Sequence, residues 1–423
     1  MIGTDLRGSV VTGATAVALD GYERALAAWL SWRADDGAAL VGAVREAPRF
    51  VMALVLQAWQ LACSRDRRRV DAARPLVAQA LALPANERER LHLAALSNVL
   101  ADDFERAKAR LGRVLRRDPR DAVALQAVQS LDYLTGDVAA MHRHVAQALP
   151  AWSHHVPGHH ALLAMHAFAL EETGDYARAE DAALAALDLD PLDARACHAM
   201  AHVFEMTERF DAGVRWMTEH AGVWANWSTV VTHGWWHVAL FHLAARKPER
   251  ALALYDTRVR GVRSPEVADL IDASALLWRI VLSGCHVGER WSELADAWEP
   301  HIEDGFCSFS DVHAMLAFVG ADDGERARRM EAELRRRARL GGRHGRTTRQ
   351  LGLPASRALL AFGRGDDALA IRLLAGLPAI AHRLGGSHAQ RDVLHLTLQH
   401  AVQRTRRPLR QRPPAFARLA TAI

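Results

Sequence analysis

The chain has 423 residues, half of them hydrophobic, and a formal net charge of +4. That length suffices for two or three average domains or for one long repeat array. A charge so close to balance excludes an argument for nucleic acid from composition alone. The four cysteines, Cys63, Cys197, Cys285 and Cys307, form no CxxC pair and no disulfide-like spacing. Met1 to Asp5 lacks a basic segment followed by an apolar core, so no signal peptide is expected. No run of 18 apolar residues occurs. The expectation is a reduced, cytoplasmic protein without membrane contact.

In chain order, residues 1–50 read as a helical N-terminal cap with a poor frame. From 51 to 265, Ala- and Leu-rich stretches of 3.6-residue periodicity alternate with short Gly, Asp and Pro turns, predicting helix pairs. The clearest unit is Gly174-Asp175-Tyr176-Ala177-Arg178-Ala179, followed by Ala183, Ala186 and Pro191. Small residues let two helices approach closely, and the proline ends the second helix. Taking the small residue as a marker gives Ala73, Ala107, Met141, Ala179, Gly213 and Ala251. The intervals are 34, 34, 38, 34 and 38. This is the period and the second-half pattern of the tetratricopeptide repeat. Residues 266–404 continue as helical repeats with slipped phase, with Glu325 and Ala327 in one unit and Gly365-Asp366-Asp367 and Ala370 in another. Gly341 to Thr348 is expected to be a loop, and 405–423 an Arg- and Pro-rich tail. The Arg-rich runs 335–349 and 404–412 read as solvated loop and tail. The predicted fold is an all-α tetratricopeptide-type solenoid, which encloses a central pocket if its superhelix closes far enough.

The repeat resemblance implies that the first helix of each pair lines the concave side. Counting from the markers, Arg195, His198, His202 and Glu205 share one face, being spaced by 3, 4 and 3. Neighbouring first helices add His92, Ser130, Tyr133, Phe168, Glu171, His233 and Trp236. Imidazoles beside carboxylates are suited to proton transfer near neutral pH, and Trp faces can hold a flat or cationic ligand. The bland reading of each His or Trp is core packing. His198, His202 and Glu205 could also supply three metal ligands, with His233 or His237 as a fourth. The hydrolytic HExxH order is absent, because Ala199 follows His198. The site is therefore read as free of metal and of other cofactors.

Four stretches resemble one family: His198-Ala199-Met200-Ala201-His202-Val203-Phe204-Glu205-Met206; His233 to Leu240; Phe309-Ser310-Asp311-Val312-His313; and Gly385-Gly386-Ser387-His388-Ala389-Gln390-Arg391-Asp392-Val393. In order and spacing they are similar to the tetratricopeptide repeat protein 38 family of bacteria and animals, over roughly residues 20–400. Ser310 and Gly234 depart from its pattern. The resemblance adds Asp272, Asp311, His313, Gln390, Arg391 and Asp392 to the candidates and leaves the reaction open. Two functions compete. In the first, a small organic ligand binds the concave face at His198, His233, Trp236, Asp272, Gln390, Arg391 and Asp392. Cofactor-free acid/base work then falls to His202, Glu205, His237, Asp311 and His313. In the second, the groove receives a peptide or partner helix. Nucleic acid is the weakest partner, since only the two Arg runs favour it.

Overall fold

In the computed structural model, residues 2–35 and 37–406 are described; residues 407–423 of the expected tail lie outside them. The chain clusters into two compact units. One comprises residues 1–208 and 216–231, the other 209–215 and 232–423.

The first unit opens with a β-hairpin, β1 (Ile2–Thr4) paired antiparallel with β2 (Val10–Thr12). This corrects the expectation of helix from the first residue. β-Branched Val10, Val11 and Thr12 suit a strand, and Gly8 (φ +87°) precedes it in a left-handed conformation. Helix pairs follow in chain order: α1 (Ala16–Ser31) with α2 (Ala38–Glu46), α3 (Val51–Ala62) with α4 (Arg67–Leu81), and α5 (Glu87–Leu100) with α6 (Phe104–Arg117). Then come α7 (Ala122–Thr135) with α8 (Val138–Ala148), α9 (His159–Glu172) with α10 (Tyr176–Leu189), and α11 (Ala194–Met206). Local chemistry sets the starts. Asp66, Asp103, Asp121, Asp137 and Asp193 accept from backbone N–H groups of the first turns of α4, α6, α7, α8 and α11. Asn86 and Glu89 form a reciprocal capping box at α5.

The second unit includes Phe210 at the start of α12 (Phe210–Glu219), whose ring packs 6.5 Å from that of Phe241. After the four-residue helix α13 (Ala221–Trp224) of the first unit, the second continues with α14 (Val231–Ala244) and α15 (Pro248–Leu254). It goes on through α16 (Val267–Leu282) with α17 (Arg290–Trp298) and α18 (Ser308–Gly320) with α19 (Gly324–Arg337). The expected loop at 341–348 is instead helical, as α20 (Gly342–Thr347). Gly345 makes this possible: a Cβ there would lie 2.2 Å from the Leu340 carbonyl oxygen. The unit ends with α21 (Leu353–Gly363), α22 (Asp367–Leu374) and the long α23 (His388–Arg406), which packs on α16 and α22.

The marker residues explain the stacking. Ala73, Ala107, Met141, Ala179 and Ala251 are each at most 1% exposed, Gly213 is buried, and all six lie on second helices. The fold is an all-α helical-repeat solenoid of tetratricopeptide type. No helix among the described residues is long and apolar enough to cross a membrane.

One device in the first unit falls outside the repeat. The segment before α2 runs along the edge formed by the starts of the first helices. The Val10 carbonyl accepts from Asn86 and Arg88, and Ser9 bonds to Asp118. Leu30 lies against Gly158, and Arg33 pairs with Asp190 at 2.5 Å. Gly13 (φ +84°) sits where a Cβ would come 1.9 Å from the Arg49 carbonyl oxygen, so backbone would have to move. Gly8 has a similar φ but open space around it. Gly13→Ala should therefore destabilise the protein by at least about 2 kcal/mol, and Gly8→Ala by only about 1 kcal/mol. Urea or thermal unfolding of the two variants side by side checks this; equal losses would contradict it.

Candidate functional site

In the first unit the inner positions of successive first helices form a ladder of rings. Arg65 stacks over Tyr133 at 5.2 Å, and Tyr133 meets Phe168 edge-on at 6.0 Å. Phe168 lies 5.3 Å from His202 and 5.8 Å from His198. The sequence register thus brings Tyr133, Phe168, His198 and His202 together from α7, α9 and α11. Trp32, just after α1, closes the ladder at 5.2 Å from His198, and the Arg195 guanidinium sits 4.5 Å over its ring. Arg195 donates to Gln129 at 2.8 Å and to Gln126. Burial pushes its pKa down to about 10. Trp32 was not among the sequence candidates, because nothing in a helical period signals that the residue after α1 returns to α11.

The two imidazoles face each other, with His202 Nε2 and His198 Nε2 3.0 Å apart. His202 Nδ1 lies 3.7 Å from Glu171 Oε2, and both side chains are fully buried. Glu172, the next residue on α9, is 5% exposed. Glu205 ends α11 half-buried. His92 is of another kind: Trp59 Nε1 donates to its Nδ1 at 3.2 Å, and its Nε2 meets Asp121 at 2.9 Å. Both ring nitrogens serve the packing of three helix pairs.

In the second unit, His233 Nδ1 bonds Asp272 Oδ2 at 2.8 Å, and Gln390 Nε2 donates to the other oxygen, Oδ1, at 3.3 Å. Three helices distant in sequence, α14, α16 and α23, meet in this chain. His233 stacks on Trp236 with rings 5.1 Å apart and 14° from parallel, and Arg279 lies over the same ring at 5.6 Å. Trp236 is 0% exposed, so its expected role as a stacking platform is filled by the protein's own side chains. His237, also fully buried, packs 4.7 Å from His233. Burial first, and the nearby His233 second, hold it well below the usual histidine range.

The Gly385 to Asp392 motif is mainly a backbone device. Gly385 and Gly386 have φ of +77° and +84°, and a Cβ on Gly386 would collide with the Phe309 ring at 2.7 Å. Ser387 and Gln390 cap each other's backbone N–H groups at the start of α23. Arg391 donates to the Gly386 carbonyl. Asp392 is exposed. His313 Nδ1 meets the Phe309 carbonyl at 2.7 Å, and its ring lies 4.4 Å from that of Phe309. Asp311 has its electrostatic neighbours elsewhere, at Arg337, Glu333 and Asp304.

Sequence reasoning also passed over a cavity of about 750 Å³ between α6 and α8, lined by Lys108, Asp132, Asp137 and His144 among others. Lys108 Nζ lies 2.9 Å from Asp137 and 3.3 Å from Asp132, and Asp132 bonds His144 at 2.8 Å. The signal available was the near absence of lysine from the chain.

No family model matches the sequence. Two solved structures resemble the chain weakly. The crystal structure of yeast Tom70 gives a TM-score of 0.43 at 12% identity, covering 87% of this chain and 85% of that one. The tetratricopeptide (TPR) domain of P58(IPK) gives 0.21 at 13% identity, covering 76% and 82%. The repeat assignment accordingly stands on this chain's own helix pairs.

Asp311 offers a direct test of the electrostatics. Burial pushes its carboxyl up to about 8, against a weaker pull from Arg337. A raised folded-state value means the native state holds a proton that the unfolded chain has released above about pH 4. The resulting stability is complete below about pH 4 and is lost as pH rises to about 8, a change on the order of 5 kcal/mol at most. Asp311→Asn should flatten that slope and be more stable than the parent at pH 8. Unfolding midpoints between pH 4.5 and 8.5 measure it; an unchanged slope would refute the assignment.

Proposed function

We propose that this chain is a scaffold that binds a protein partner at an apolar edge beside its N-terminal segment. The observation that carries the reading is the exposure of Trp227 (72%) and of Leu192 (54%), whose backbones are held by adjacent residues of one segment. Arg33 Nε donates to the Leu192 carbonyl and the Ala34 N–H donates to the Trp227 carbonyl, so one dipeptide joins both sides of the patch. Exposed aromatics in such settings are typical anchors of protein interfaces. In this unit the inner face at Arg195 and His198 is already occupied by Trp32, which favours an edge over a groove. The occupant proposed is an apolar-faced helix or extended segment of another protein. Trp227→Ser should weaken its capture by about 30-fold or more while leaving the melting temperature unchanged. Retention of the same stoichiometric partner by this variant sinks the reading.

A second reading has its own observation. His233 is the one member of the His233–Asp272–Gln390 chain with 15% of its side chain exposed. Asp272 accepts from Nδ1–H and so fixes the tautomer and orientation of the ring, as a carboxylate does for a general base. A small organic ligand with an acidic proton would meet that ring, with no cofactor required. A ligand that raises the melting temperature of the parent should lose its effect in both His233→Gln and Asp272→Asn. If both variants respond as the parent does, the ligand binds elsewhere and this reading falls.

The tetratricopeptide repeat protein 38 family remains our proposed affiliation. Its support is that the four motifs all fall on first helices or at their starts: α11, α14, α18 and α23. We assign the chain to a reducing, cytoplasmic setting on its four free cysteines, two of them buried.

A further inference from the structure

We propose that the first unit holds one divalent transition-metal ion, with His198 Nε2 and His202 Nε2 as ligands and Glu171 supporting His202 from behind. The sequence alone set a metal aside because the catalytic HExxH order is missing. That order belongs to one hydrolytic use, and a histidine pair spaced by four on a helix needs no following glutamate to bind an ion.

The geometry is specific. Two imidazole nitrogens 3.0 Å apart subtend an angle of about 95° at an ion placed about 2.05 Å from each. Opening to a tetrahedral angle requires the nitrogens to part by only about 0.3 Å. A direct hydrogen bond between them would need one ring to present N–H and the other a lone pair. An ion takes a lone pair from both, which frees each Nδ1 to carry its proton. For His202 that proton faces Glu171, whose Oε2 is 3.7 Å from Nδ1. A carboxylate behind a ligating imidazole is the usual means of fixing its tautomer and raising its basicity.

Charge argues the same way. Glu171 is 0% exposed and Glu172 5%, and each places an oxygen within 4.8 Å of the other's and of a His202 nitrogen. Two carboxylates side by side in a desolvated site repel each other. A doubly charged ion beside them offsets both charges. The donor set of imidazole nitrogen with carboxylate nearby suits Zn²⁺, Co²⁺ or Ni²⁺ over Mg²⁺ or Ca²⁺. Phe168 and Trp32 wall the histidines with apolar rings. This proposal goes beyond the scaffold reading and stands or falls apart from it.

The test uses the untagged full chain, stripped with chelator and titrated with Zn²⁺ and Co²⁺. Calorimetry and elemental analysis should give one ion per chain bound with an affinity that depends on this pair. Co²⁺ should develop visible ligand-field bands. His198→Gln and His202→Gln should each lose at least 100-fold in affinity, and Glu171→Gln 10- to 100-fold. His144→Gln, a histidine outside the cluster, should bind as the parent. Circular dichroism and melting temperature of the metal-free proteins establish that each variant is folded. If one histidine variant fails to fold, the other and Glu171→Gln decide. Absence of saturable binding by the parent, or unchanged affinity in all three cluster variants, overturns the proposal.

Discussion

Paired helices of this length bury enough surface only if they approach closely, and here the approach rests on a buried marker side chain that is a methyl group in four of six repeats. Ala73, Ala107, Ala179 and Ala251, on α4, α6, α10 and α15, are 0% exposed. A larger side chain at any of them would push its helix away from two neighbours, because each pair packs on the next. Where the marker is instead Met141, the helix α8 that carries it flanks the large cavity at Lys108. Gly320 is the extreme case: a Cβ there would lie 2.3 Å from the Trp291 ring, so that indole rests on helix backbone.

The N-terminal segment adds a constraint of a different kind. Stacked repeats contact only their neighbours, and such arrays bend and fray readily. A segment bonded to Asn86, Arg88, Asp118 and Asp190 ties the start of α5 to the turns that lead into α7 and α11. No single bond in that series contributes much, since an exposed ion pair such as Arg33–Asp190 is worth at most about 1 kcal/mol. Their joint effect is to fasten the N-terminal segment to the first unit at points far apart in sequence.

Local signals were legible, and returns over long distance were not. The 34-residue period and the shared face of Arg195, His198 and His202 follow from side-chain periodicity, which acts within one turn or one repeat. The β-hairpin at Ile2–Thr12 was missed because its partners are Glu89 and Asn86, far along the chain. Trp32 was missed for the same reason. In the Gly385–Asp392 motif the residues were recognised as special, but a linear motif cannot distinguish a ligand contact from a cap. Structure divides the labour: Gly386 accommodates Phe309, Ser387 and Gln390 close the helix, Arg391 holds backbone, and Gln390 also reaches Asp272.

The buried histidines separate by the chemistry of their two nitrogens. His92 spends both on protein groups that stay fixed, an indole N–H and a carboxylate that also pairs with Arg88. Its cost of burial is met within the fold, and it needs nothing further. His233 spends Nδ1 on Asp272 and keeps part of its ring at the surface. His198 and His202 turn the same atom, Nε2, toward each other in a space lined by Phe168 and Trp32. Two imidazole nitrogens meeting head to head hydrogen-bond only when one presents N–H and the other a lone pair, and Glu171 and Glu172 lie buried beside His202. A solenoid gains no stability from that arrangement that two leucines would not supply better. A shared ion, as proposed above, would account for the polar face of α11.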